Sequence, residues 1–148
     1  MTAKPSQKEI TMKKGQKFAG IIPPLVTPFT KAGEINEILF RNEVRHLLAC
    51  GVHGLSTGGS TGEGAVLSDD ELVRLIKIIK EENTRKIPIV AGVIRTSIEA
   101  AVMTALAAKA AGADALLVTP VFYNILVPDA KGNETFFRAI SEAVDLPI

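Results

Sequence analysis

The chain is poor in cysteine, in net charge and in long apolar runs. Cys50 is its single cysteine, so no disulfide can close within the chain, which fits a reducing compartment. No apolar stretch approaches the ~20 residues that a membrane-spanning helix needs, and the N-terminus lacks the apolar core of a secretory signal. The expected compartment is therefore the cytoplasm. A formal net charge of +1 argues against nucleic acid as the main partner. That charge is unevenly spread. Residues 1–17 carry Lys4, Lys8, Lys13, Lys14 and Lys17 against Glu9, and the remainder is net negative. The expected division is a flexible basic arm over 1–17 and one domain over 18–148, with a polyanion-binding arm as the sharper alternative.

What is present is a chain of 148 residues, 47% hydrophobic and 22% charged, enough for one domain with a core. Its segments alternate. "GIIPPLVTPF" (20–29) is a short apolar run broken by prolines, which lack an amide donor and confine a strand to its unpaired edges or ends. "KAGE" (31–34) reads as a turn. Phe40, Val44, Leu47 and Leu48 then recur at helical spacing, with Gly51 as terminator. "GLST" (54–57) is a second short strand, and "SDDE" (68–71) is a capping box opening a helix with Leu72, Leu75, Ile76 and Ile79 on one face. "IPIVAGV" (87–93) is apolar without alternation, as in a parallel strand buried on both faces. Ser97 opens an alanine-rich helix ending at Gly112, "ADALLVT" (113–119) is the fourth strand, and Phe136, Ile140 and Val144 mark a fourth helix. "DLPI" (145–148) begins a fifth strand.

This βα alternation predicts a parallel sheet with right-handed crossovers. Two architectures compete: a doubly wound open sheet, complete at this length, and a (β/α)8 barrel, which needs ~250 residues. On the second reading the chain covers about the first half, four βα units and the start of a fifth strand, and its end within a strand favours that reading.

Active-site groups in either architecture sit at the carboxyl ends of the strands, where "GGSTGEG" (58–64) falls. Gly58-Gly59-Ser60-Thr61-Gly62 fits the G-x-S-x-G expression of serine hydrolases, but that elbow passes directly into a helix and needs a downstream histidine; His46 and His53 both lie upstream. A phosphate loop needs lysine where Ala65 stands, and the glycine order is not that of a dinucleotide fingerprint. A third reading is carboxylate binding: Ser60 and Thr61 offer two hydroxyl donors, Gly59 and Gly62 let a small planar anion approach the backbone, and Glu63 braces the loop by accepting amide hydrogens. A glycine-rich turn without a ligand stands beside it. Elsewhere, Asp69 and Asp70 fall in a first helical turn, where negative charge suits the dipole. His46, placed mid-helix, His53 and Cys50 complete no metal-ligand spacing. Arg95 follows the third strand and either steers an anion or pairs with a neighbour such as Glu99.

The motifs "LVTPF" (25–29), "GGSTGE" (58–63), "AGADALLVTP" (111–120) and Tyr123-Asn124, in that order, resemble the dihydrodipicolinate synthase / N-acetylneuraminate lyase family from about Gly20 to Ile148. The resemblance implies a (β/α)8 barrel and class I aldolase chemistry. A lysine condenses with the carbonyl of pyruvate or a related keto acid, and the imine serves as electron sink, with no cofactor and no metal. It also implies that Ser60 and Thr61 hold the keto-acid carboxylate, that Ser60 joins a tyrosine proton relay, and that the protein assembles as a homotetramer. The strict relay position holds Phe122, which passes no proton, so Tyr123 beside it is the expected catalytic tyrosine. The family's imine lysine belongs to its sixth strand and is absent here. Lys77, Lys80 and Lys109 on helices, and Lys86 and Lys131 in loops, lack the desolvation that lowers an amine pKa, so the chain alone is expected to be inactive. The expected parent activity is that of the lysine-biosynthetic dihydrodipicolinate synthase branch. The alternatives are the N-acetylneuraminate lyase or sugar-acid aldolase branches and a non-catalytic fragment that binds keto acids or partners.

Overall fold

The computed structural model describes residues 18–122 and 127–148. The basic arm over 1–17 and the Tyr123-Asn124 pair lie outside the described residues. Seven elements follow one another: α1 (Glu37–Ala49), β1 (Leu55–Thr57), α2 (Asp69–Glu82), β2 (Ile89–Val93), α3 (Ile98–Ala111), β3 (Ala115–Val118) and α4 (Ala130–Ala143).

Each helix starts at a side-chain cap. The Asn36, Ser68, Ser97 and Asp129 side chains accept from the backbone N–H three residues on, and Ser68 forms the full box with Glu71. Gly112 closes α3 in the left-handed conformation that glycine adopts without Cβ strain (φ +110°). Val144, expected inside the fourth helix, is its extended C-cap, still buried.

The strands form a parallel sheet in the order β1-β2-β3, with Leu55 opposite Ile89 and Val90 opposite Ala115. Strand order is consecutive. With Pro24 bridged to Ser56 on one side and Leu116 bonded to Pro147 on the other, five successive segments lie side by side in chain order, whereas a doubly wound sheet reverses at a switch point within that number of strands; the winding is that of a barrel. The helices pack in the same succession, α1 on α2, α2 on α3 and α3 on α4. Alanines at 101, 105 and 108, all fully buried, let α3 lie close to its neighbours.

The first expected strand is reduced to a parallel bridge, Pro24 to Ser56, with Leu25 N donating to Ser56 O (2.8 Å) and Ser56 N to Pro23 O (3.1 Å). Pro23 and Pro24 lack the N–H that a longer ladder would use. The 31–34 turn is present, closed by a Phe29–Ile35 antiparallel bridge. The last residues form no regular strand, yet Leu116 N donates to Pro147 O (2.9 Å), so the chain resumes alongside β3. One core of Leu25, Phe40, Leu55, Leu75, Ile76, Ile79 and Ile140 fills the space between sheet and helices.

Candidate functional site

β1 ends at Thr57, and the chain turns at Gly58, whose φ of +69° is left-handed. The next residues curl through backbone bonds: Gly62 N and Gly64 N both donate to Gly59 O (3.1 and 3.0 Å), Glu63 N to Ser60 O (3.2 Å) and Val66 N to Glu63 O (3.0 Å). The curl packs backbone on backbone. A Cβ at Gly64 or at Gly92, on β2, would collide with the Gly58 carbonyl oxygen, and one at Gly62 would lie 2.8 Å from Leu25 O. Glu63 itself adopts φ +58°, uncommon for a side chain with a Cβ.

Ser60, Thr61 and Glu63 are exposed on this curl, while Gly58, Gly59, Gly62 and Gly64 are buried. The structure thus places the two adjacent hydroxyls on the surface at the carboxyl end of β1. Among the described residues the Glu63 carboxylate accepts no hydrogen bond. The loop is braced instead by two side chains that sequence reasoning did not assign to it. The buried Thr27 hydroxyl donates to Gly62 O (2.7 Å). Its own segment is held by Val26 N donating to Glu43 Oε1 (3.1 Å). Burial raises the Glu43 carboxyl above the ordinary range, against the lowering effect of that backbone bond.

The second brace is Arg95, which leaves the end of β2 and is only 14% exposed. A guanidinium has five N–H groups, and all five are engaged. Nε donates to Thr104 Oγ1 (3.0 Å), Nη1 to Gly64 O (2.9 Å) and Ile94 O (3.0 Å), and Nη2 to Leu67 O (2.9 Å) and Asp69 Oδ1 (2.9 Å). Thr104 Oγ1 in turn donates to Asp69 Oδ1 (2.6 Å). Of the two expectations for Arg95, pairing is what the structure shows, and no guanidinium N–H remains for a direct hydrogen bond to a substrate. Its partner is Asp69 from the preceding βα unit, not the exposed Glu99. Asp69 does lie in a first helical turn, as expected, but also anchors this cluster.

The remaining candidates stay apart. Lys31, Lys77, Lys80, Lys86, Lys109 and Lys131 are all exposed. Lys131 sits in the first turn of α4, where Asp129 caps a helix starting at Ala130, rather than in a loop. His46 is in the last turn of α1 rather than mid-helix, 3.7 Å from Cys50 Sγ. His53 Nδ1 accepts from Ile21 N (3.0 Å). No group of three or more potential metal ligands occurs among the described residues, and no helix among them is long and apolar enough to cross a membrane. The Thr57 hydroxyl at the end of β1 is buried and has no hydrogen-bond partner among the described residues.

The arrangement has close counterparts. The 4-hydroxy-tetrahydrodipicolinate synthase of Agrobacterium fabrum is 42% identical over 131 residues, which are 88% of this chain and 44% of that protein. The chain thus spans less than half the length of the curated relatives it matches. Among solved structures, dihydrodipicolinate synthase from Cyanidioschyzon merolae with lysine bound superposes with a TM-score of 0.81 at 32% identity, over 88% of this chain and 44% of that one. CdNal from Clostridium difficile, in complex with mannosamine, also gives 0.81, at 34% identity over 88% and 45%. These neighbours are (β/α)8 barrels, and the chain corresponds to about their N-terminal half. The profile described as the Dihydrodipicolinate synthetase family matches residues 17–148. With that profile matching the whole described span, the chain belongs to the dihydrodipicolinate synthetase family.

Proposed function

We propose that this chain supplies the carboxylate-binding corner of a Schiff-base aldolase site for pyruvate or a related α-keto acid, with 4-hydroxy-tetrahydrodipicolinate synthesis as the parent activity. The observation that carries this reading is the Ser60-Thr61 pair, two exposed hydroxyls on a loop fixed by backbone packing, Thr27 and Arg95 at the carboxyl end of β1. The hydroxyls donate to the two carboxylate oxygens and leave the keto carbonyl free for an amine. That amine attacks the carbonyl carbon and water leaves. The resulting iminium draws electrons from the adjacent carbon, which releases a proton and then forms the new carbon–carbon bond. Ser60 passes protons in concert with Tyr123. The lysine nucleophile lies in the portion of the relatives that this chain does not span, and the six exposed lysines described above do not replace it. A cytoplasmic homotetramer requiring no cofactor completes the proposal. The lyase branch is the second reading, which the presence of CdNal among the structural neighbours fits, while the 42% identity to the Agrobacterium fabrum synthase supports the first.

Two measurements test this. Titration with pyruvate, followed by amide NMR, is expected to show binding at Gly58–Gly64 that Ser60→Ala and Thr61→Val each weaken about tenfold or more, as for a lost hydrogen bond to an ion. Binding indifferent to both substitutions overturns the loop assignment. Incubation with pyruvate and borohydride, read by intact mass, is expected to give no adduct on residues 1–148 and an adduct on a protein carrying the sixth-strand lysine. An adduct on the short chain shows that one of its own lysines is the nucleophile.

A further inference from the structure

We propose that Arg95 is a positioning residue that sets the geometry of the Ser60-Thr61 hydroxyl pair, a role that rests on the keto-acid reading of the loop. The path is continuous. Nη1 grips Gly64 O, Gly64 N grips Gly59 O, and the Gly64 Cα is pressed against the Gly58 carbonyl. Gly58 and Gly59 immediately precede Ser60. Nη2 fixes Leu67 O, where the loop enters α2. The other side of the guanidinium rests on rigid elements: Thr104, fully buried on α3, and Asp69, in the first turn of α2. A planar five-donor fork is matched to carbonyls spread over a loop without regular secondary structure. Lysine, with three donors on one point charge, cannot reach them all.

The Arg95–Asp69 ion pair is only partly buried, its carboxylate side being well exposed, and such a pair is weak evidence for stability. Arg95 spends two of its donors on carbonyls of the curl and its exit, Gly64 and Leu67, and only one on a carboxylate. The structure therefore assigns its charge and shape to holding those carbonyls in place.

The test uses the 148-residue chain and pyruvate, with affinity read from the Gly58–Gly64 amides and stability read separately as Tm. Arg95→Lys is expected to weaken pyruvate about tenfold. Asp69→Asn keeps an acceptor for Arg95 and Thr104 but removes the charge. It is expected to lower Tm and leave affinity within about twofold. In the unsubstituted chain, saturating pyruvate is expected to slow solvent exchange of the Arg95 Nη protons, because a ligand that needs the ordered loop stabilises the bonds that order it. A chain that binds no pyruvate, or binds it regardless of Ser60→Ala, removes the keto-acid reading and this inference with it. If Ser60→Ala weakens binding while Arg95→Lys does not, or while Arg95→Lys and Asp69→Asn weaken it equally, the inference alone falls. If Arg95→Lys does not fold, unchanged Nη exchange on saturation overturns the inference and slowed exchange supports it.

Discussion

A methyl group at Gly64 or Gly92 runs into the Gly58 carbonyl oxygen, whereas one at Gly59 meets nothing within 4 Å. Gly64→Ala and Gly92→Ala are therefore expected to cost about 3 kcal/mol each, the upper range for overpacking, in denaturant unfolding. Gly59→Ala is expected to stay within about 0.5 kcal/mol of the parent. The glycine-rich string was plain in the sequence, but the reason for each glycine was not. Only Gly58 needs a left-handed φ, and Gly64 and Gly92 are required by close backbone approach between segments far apart in sequence. For Arg95 the sequence offers Glu99, one helical turn on, as a pairing neighbour and gives no link to the loop. The partner is Asp69, together with three carbonyls, and a carbonyl acceptor leaves no mark in the sequence. Thr27 and Thr104 went unassigned for a related cause, since a hydroxyl in an apolar run reads as ordinary packing until its acceptor is seen.

At the scale of elements, the caps were the most legible features because their chemistry is local. Ser68 and Glu71 form the reciprocal box, and Ser68→Ala is expected to cost about 1 kcal/mol. The Ser68 backbone N–H, aided by its hydroxyl, holds the Glu71 carboxyl below its ordinary value of 4.5. Arg41, with Arg74, does the same for Glu37, and Arg45, with Arg41, for Glu82. These carboxylates have depressed folded-state pKa values. Their contribution is therefore fully present above the unfolded value, near pH 4.5, and is lost as pH falls through the lower folded values. Tm is expected to be flat from pH 7 to about pH 5 on their account and to drop below that. Glu43, raised by burial, acts in the opposite sense, and Glu43→Gln is expected to raise Tm at pH 7 while keeping an acceptor for Val26 N. The least legible element was the first strand, because prolines shrink it to a single bridge with β1 that no periodicity announces.

At the scale of the molecule, the alternation of apolar runs indicated a parallel α/β sheet, but the choice between an open sheet and a barrel depended on strand order, which no local pattern encodes. The consecutive order β1-β2-β3, continued by the Pro24 bridge at one edge and the Pro147 bond at the other, decides it. The hydroxyl pair was visible in the sequence as a motif; the clamp that holds it was not, because its parts come from different βα units. That division has a consequence for recombining this chain with its relatives. A crossover near residues 84–87, in the stretch between α2 and β2, separates the curl from Arg95 and Thr104, so the hybrid keeps the native carbonyls and takes positions 95 and 104 from the relative, whatever stands there. A breakpoint beyond Thr104 transfers both halves of the clasp intact. Shuffled libraries are expected to be enriched for pyruvate binders among the second kind of junction.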